Sequence, residues 1–88
     1  MVWTIRFSGG ASRELDKLSR QDQQEIRNYL RKRISVAINP QDYGKPLRGN
    51  LSGLWRYRVG KCRLICKIEK QIMLILVIKI GKRDKVYD

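Results

Sequence analysis

Ile72-Met73-Leu74-Ile75-Leu76-Val77-Ile78 is an unbroken apolar run, and it constrains this chain more than any other stretch. It is far short of the roughly 20 residues that a membrane-spanning helix needs. Lys70-Gln71 precedes it and Gly81-Lys82 follows it, so residues 72–80 read as a buried strand at the centre of a sheet. The rest of the chain must supply that strand with neighbours and with cover.

The neighbours are legible on both sides. Residues 54–59 and 62–69 read as strands, joined by Gly60-Lys61 as a two-residue hairpin turn. Lys70-Gln71 is a second tight connection, which makes the last three strands a meander. Near the start, residues 2–7 alternate, with Trp3, Ile5 and Phe7 on one side and Val2, Thr4 and Arg6 on the other. Ser8-Gly9-Gly10 breaks that strand, and Ser12 with Leu15 and Leu18 opens a short helix. A second, longer helix is capped by Ser19 or Asp22. Its apolar positions are Ile26, Tyr29, Leu30, Ile34, Ala37 and Ile38, while Arg27, Arg31, Lys32 and Arg33 form a solvated face. Asn39-Pro40 stops it, and residues 41–53 read as a loop punctuated by Gly44, Pro46, Gly49 and Gly53. The expected architecture is α+β: strand, helix, helix, then a three-stranded antiparallel meander, with the helices packed on one face of the sheet. Residues 1–88 are expected to form a single domain.

Charge narrows the function. The chain carries 20 basic and 8 acidic residues, a net charge of +12. Residues 45–88 hold 12 of the basic and only 3 of the acidic side chains. Such a field favours a polyanion and makes its binding salt-dependent. The chain has no histidine, so proton transfer has to fall to Lys, Tyr or carboxylates. Cys62 and Cys66 lie four positions apart in one strand, about 13 Å at roughly 3.3 Å per residue. A disulfide needs Cα atoms within about 7 Å, so both are expected to be core thiols in a reducing compartment. No metal ligand set and no cofactor motif is expected. Met1 leads straight into a strand, so no leader is expected, and the location is expected to be cytoplasmic, away from membranes.

The hairpin turn fixes a register. Counting outward from it, Val59 faces Cys62, Arg58 faces Arg63, Tyr57 faces Leu64 and Arg56 faces Ile65. Arg56, Arg58 and Arg63 then share one face with Lys67, while Cys62, Leu64, Cys66 and Ile68 take the other, against the helices. Directly opposed like charges cost a few tenths of a kcal/mol or more. Guanidinium groups grip phosphate oxygens in bidentate fashion, which gives such a pair a use. The same cluster meets the needs of RNA cleavage by the 2′-hydroxyl, in which a phosphorane gains negative charge. The central strand would deliver Lys82 and Arg83 to the same end of the sheet.

At this point the sequence resembles the RelE family of bacterial toxins, within the RelE/ParE superfamily. The resemblance rests on Lys45-Pro46-Leu47-Arg48-Gly49, on the segment from Leu54-Trp55-Arg56-Tyr57-Arg58 through Gly60-Lys61-Cys62-Arg63-Leu64-Ile65, and on Gly81-Lys82-Arg83-Asp84-Lys85-Val86-Tyr87. It implies a RelE-like fold and a type II toxin that enters the ribosomal A site and cuts mRNA without a metal. It implies a cognate antitoxin as partner, with operator DNA bound only through the antitoxin complex. By this resemblance Arg63 and Arg83 match the family's active-site arginines, and Tyr87 its terminal tyrosine. The expected catalytic set is Arg63, Arg83, Tyr87, Lys82 and Arg58, with Arg56, Arg48, Lys61 and Lys45 expected to hold RNA.

Three departures bear on the chemistry. Arg56 and Arg58 stand where the best-known member has lysines, and arginine is a poor proton donor, so Lys82, Lys61 or Tyr87 must do more of that work. Lys82 stands where many relatives have histidine. Longer members continue into a terminal helix, whereas Tyr87 is expected to sit on a fraying tail. Two rival functions use the same features: a ParE-like inhibitor of DNA gyrase, and an RNA-binding module without catalysis.

Overall fold

A computed structural model describes residues 2–82 of the chain. Two helices lie across one face of a five-stranded mixed sheet. The strands are β1 (Thr4–Phe7), β2 (Lys45–Pro46), β3 (Trp55–Val59), β4 (Cys62–Glu69) and β5 (Leu74–Lys82), in the spatial order β1-β5-β4-β3-β2. β1 runs parallel to β5, and the other neighbours are antiparallel. The apolar run thus supplies an interior strand, hydrogen-bonded on both sides.

The helices are α1 (Gly9–Asp16) and α2 (Arg20–Tyr29). Helix α1 starts at Gly9, three residues ahead of the sequence expectation, because Ser8 caps it. The Ser8 hydroxyl accepts from the Ala11 amide at 3.1 Å. Ser19, not Asp22, caps α2, accepting from the Asp22 amide at 3.1 Å. Ala11, Leu15, Ile26, Leu30 and Ile34 point down onto Tyr57, Val59, Cys62, Leu64, Cys66, Ile75, Val77 and Ile80 to form the main core. Each fully buried Leu or Ile there contributes about 1.5–3 kcal/mol relative to exposure.

The second helix does not run to Ile38 as its apolar spacing predicts. After Tyr29 it loosens into a π-turn (Leu30–Ile34), closed by the Ser35 amide donating to the Leu30 carbonyl at 2.8 Å. The Ser35 hydroxyl also donates to the Arg31 carbonyl at 2.5 Å, a back-bond that bends helices. Trp3 then takes the carbonyls at the helix end: its amide donates to Ser35 O at 2.7 Å and its indole to Ala37 O at 3.1 Å. With the helix ended there, Ala37 is buried but Ile38 is 91% exposed, so its assignment to the core face is corrected.

The segment expected as plain loop has structure of its own. A 3₁₀ turn (Pro40–Tyr43) leads into β2, which pairs Lys45 with Arg56 and Pro46 with Trp55 at the sheet edge. The Tyr57 hydroxyl donates to the Pro40 carbonyl at 2.8 Å and anchors this segment to β3. Gly44 lies so close to β3 that a Cβ would stand 2.9 Å from the Arg56 carbonyl oxygen and from the Tyr57 ring. A second 3₁₀ turn (Gly49–Leu51) folds back, and Leu47, Leu51 and Leu54 pack with Ile65 and Ile78 on the sheet face away from the helices.

The hairpin register is as the turn predicts, with Arg58 opposite Arg63 and Val59 opposite Cys62. Gly60 has φ +58°, the left-handed conformation that the first turn position of a II′ hairpin requires. At the other end of β4, a 3₁₀ turn (Lys70–Ile72) and a left-handed Met73 delay β5, so it starts at Leu74, two residues later than expected. Ile65 pairs with Lys79 and Cys66 with Val77, which leaves Ile78 as an inserted residue, a β-bulge. The bulge shifts the alternation, so Ile75 and Val77 and then Ile80 face the helices.

Candidate nucleic-acid interface

Arg56, Arg58 and Arg63 project from the hairpin face that lies away from the helices. Their environments differ. Arg56 and Arg63 are each only 8% exposed, whereas Arg58 is exposed. Two guanidinium groups enclosed in a sheet face have few rotamers open to them, so their direction is set before any ligand arrives. Lys45, opposite Arg56 on β2, adds a fourth cation on the same side. Tyr43, Gly44, Lys45, Arg56 and Arg58 line a cleft of about 140 Å³. At roughly 30 Å³ per liquid water, that is room for a phosphate group. Arg48 is exposed on the loop that carries the buried Leu47, and Lys61 is exposed at the hairpin tip, two positions from Arg63. Lys67 continues the arginine side of β4 but is taken by Glu69 at 3.1 Å.

Lys82 departs from the expected convergence. It pairs with Cys62, whose side chain faces the helices, and its ammonium lies 3.3 Å from the Asp22 carboxylate on α2. The bulge at Ile78 is the reason: strict alternation from Ile75 and Val77 would put residue 82 on the arginine side, and one inserted residue turns it over. Gly81, by contrast, stands opposite Arg63. The expected site residues Arg83 and Tyr87 lie outside the described residues.

Neither aromatic side chain of β3 is well placed to stack on a base. Tyr57 is fully buried, with its ring 6.1 Å from that of Tyr29, and Trp55 is half-buried. Burial pushes the Tyr57 hydroxyl well above the usual phenol range and raises Tyr29 too, where the Arg33 charge only partly offsets it. Neither can act as a base near neutrality. Burial likewise raises the thiols of Cys66 and Cys62, which are free and buried, as expected of core cysteines. Tyr43, which the sequence reading did not single out, lines the arginine cleft beside Gly44-Lys45 and is 46% exposed. An aromatic residue in an otherwise polar segment is the signal that draws notice to it.

These features have counterparts in known proteins. A family model described as ParE toxin of type II toxin-antitoxin system, parDE, matches residues 5–87. The chain belongs to this toxin family. Within the wider RelE/ParE superfamily, it is 29% identical over 87 residues to Toxin RelG of Mycobacterium tuberculosis, spanning 99% of this chain and 98% of the relative. It superposes on a chain of the toxin-antitoxin complex RelBE2 from the same organism with a TM-score of 0.85 and 28% identity, covering 94% of this chain and 93% of that one. The isolated E. coli RelE toxin has the same fold, with a TM-score of 0.70 at 20% identity over 96% of this chain and 87% of that one. The helix-covered five-stranded sheet is therefore the RelE-like α+β fold. Among the described residues no helix is long and apolar enough to cross a membrane.

Proposed function

We propose that this toxin is a ribosome-dependent mRNA endoribonuclease that cuts in the A site and halts translation. The observation that carries the reading is the direct pairing of Arg58 with Arg63 on a face that also presents Arg56 and Lys45. Four cations on one small surface are suited to a phosphodiester, and the enclosed Arg63 is suited to charge that develops on it.

In the reaction, the 2′-oxygen forms a bond to the adjacent phosphorus and the bond from phosphorus to the 5′-oxygen breaks. The 2′-proton leaves to a base, and the 5′-oxygen takes a proton from an acid. The products are a 2′,3′-cyclic phosphate and a 5′-hydroxyl. Arg63 and Arg83 stabilise the phosphorane, and Arg58 steadies the incoming phosphate. Arg56, Arg48, Lys61 and Lys45 hold the RNA backbone. Tyr87 is assigned proton transfer or base stacking by its resemblance to the family's terminal tyrosine. Lys82, engaged by Asp22 on the helix side, takes no part in the chemical step. The partner is a cognate antitoxin, as in the RelBE2 complex, and an acidic segment would complement the arginine face. Operator DNA is met only through that complex, and the site of action is the cytoplasm.

The test is to programme ribosomes with an mRNA carrying a single 2′-deoxynucleotide at the cut position. The deoxy message should survive while its ribose counterpart is cut to a cyclic phosphate, and cutting of both would overturn the mechanism. A second reading, inhibition of DNA gyrase, is favoured by the ParE description of the matching family. It predicts intact mRNA, and growth arrest relieved by a toxin-resistant gyrase.

A further inference from the structure

Tyr43 sits where two clefts meet. On one side is the small cleft of Gly44, Lys45, Arg56 and Arg58. On the other is an open cleft of about 550 Å³ between the π-turn and the first 3₁₀ turn, lined by Lys32, Arg33, Val36, Ile38 and Asp42 among others. Tyr43 lines both. The Arg33 guanidinium lies 5.6 Å from the centre of the Tyr43 ring, within cation–π range. Tyr43 is 46% exposed, Val36 57% and Ile38 91%. An exposed aromatic ring backed by one cation, flanked by two more and edged with aliphatic groups is the composition of a single-strand stacking platform.

We propose that Tyr43 and Arg33 extend the RNA site, so that a single strand held by the Arg56–Arg58 cleft passes the short edge strand β2, stacks a base on Tyr43 and lays its backbone against Arg33 and Lys32. The π-turn makes this possible. It ends the helix at Ile34 and lets Val36 and Ile38 turn outward beside Arg33 instead of into the core. Among the described residues Asp42 is the one acidic group lining the open cleft, and the Asn39 amide lies 3.4 Å from it. There it can accept from an exocyclic base amine, as aspartate does with cytosine. The main core does not depend on Tyr43, which is absent from it.

This inference rests on the RNA reading and deepens it. The probe is a fluorescein-labelled hexauridylate with 2′-O-methyl riboses, which binds without being cut, titrated by anisotropy against the purified toxin. Tyr43→Ala should weaken binding about tenfold, since stacking is worth about 1–3 kcal/mol per base, while Tyr43→Phe stays within about twofold. Arg33→Gln should lower the slope of log affinity against log salt by about 0.7, one phosphate contact on a single strand. Arg63→Ala serves as the control for the arginine site. Weakening by Arg63→Ala with Tyr43→Ala and Arg33→Gln both unchanged overturns the extended track and leaves the RNA reading standing. Absence of binding by the wild type overturns the extended track, while ribosome-dependent cutting, read separately by primer extension, decides the RNA reading.

Discussion

Arg58 and Arg63 face each other across the β3–β4 hairpin, one exposed to solvent and the other 8% exposed. Two guanidinium groups in direct opposition weaken a hairpin, and each difference in exposure assigns a different share of the work. In the proposed reaction the exposed partner would meet the phosphate's charge through water. The enclosed partner would meet it in a site of low dielectric, where the interaction is stronger. Replacing Arg58 with Met should therefore raise the free energy of urea unfolding by a few tenths of a kcal/mol while weakening RNA binding. A variant that loses stability along with binding would show that the pair is not strained.

Gly44 is required by a close approach. An added Cβ meets the backbone oxygen of Arg56 at 2.9 Å, and backbone cannot yield as a side-chain tip can. Gly44→Ala should cost about 1–3 kcal/mol in urea unfolding by pushing the Pro40–Tyr43 turn off β3. It should also disturb the cleft that Lys45 and Arg56 share. A neutral result would mean that the turn is free to move.

Lys82 should behave as a surface ion-pair residue. Its side chain is 48% exposed and its partner Asp22 is 16% exposed, so Lys82→Gln should cost less than about 1 kcal/mol. The mRNA cleavage pattern should be unchanged. Loss of cleavage as deep as that of Arg63→Ala would return Lys82 to the chemistry.

Alkaline pH should unfold the protein early. Burial raises the Cys66 thiol and the Tyr57 hydroxyl above their ordinary values of 9.0 and 10.0, and raises Cys62 and Tyr29 as well. The folded state keeps these protons at pH values where the unfolded chain has released them. Stability from this source is complete below about pH 9 and is lost as pH rises beyond it. Thermal melts from pH 7 to 11 check this, and a melting temperature that stays flat past pH 10 would contradict it.

Much of this was legible in the sequence. Gly60-Lys61 fixed the hairpin register residue by residue, because a two-residue turn leaves only one pairing outward from it. The alternation of Trp3, Ile5 and Phe7 placed β1, and the apolar run placed β5 inside the sheet. What was not legible depended on tertiary contacts. The bulge at Ile78 has no local signature, since Val77, Ile78 and Ile80 are interchangeable in apolar character, yet it decides which side of the sheet Lys82 joins. The π-turn has none either: the spacing of Ile34, Ala37 and Ile38 continues a helix, and the competing bonds come from Trp3, near the start of the chain. Tyr43 was missed because its segment is ordered by Tyr57 and Gly44 against β3 and not by its own pattern.

The central claim is tested most directly by primer extension on an mRNA in a purified translation system, with wild type beside Arg63→Ala and Arg83→Ala. The account predicts wild-type stops at the A-site codon and at least a hundredfold loss in both variants, the scale of removing one group that stabilises a transition state. Wild-type stops that persist at full strength in Arg63→Ala would contradict it.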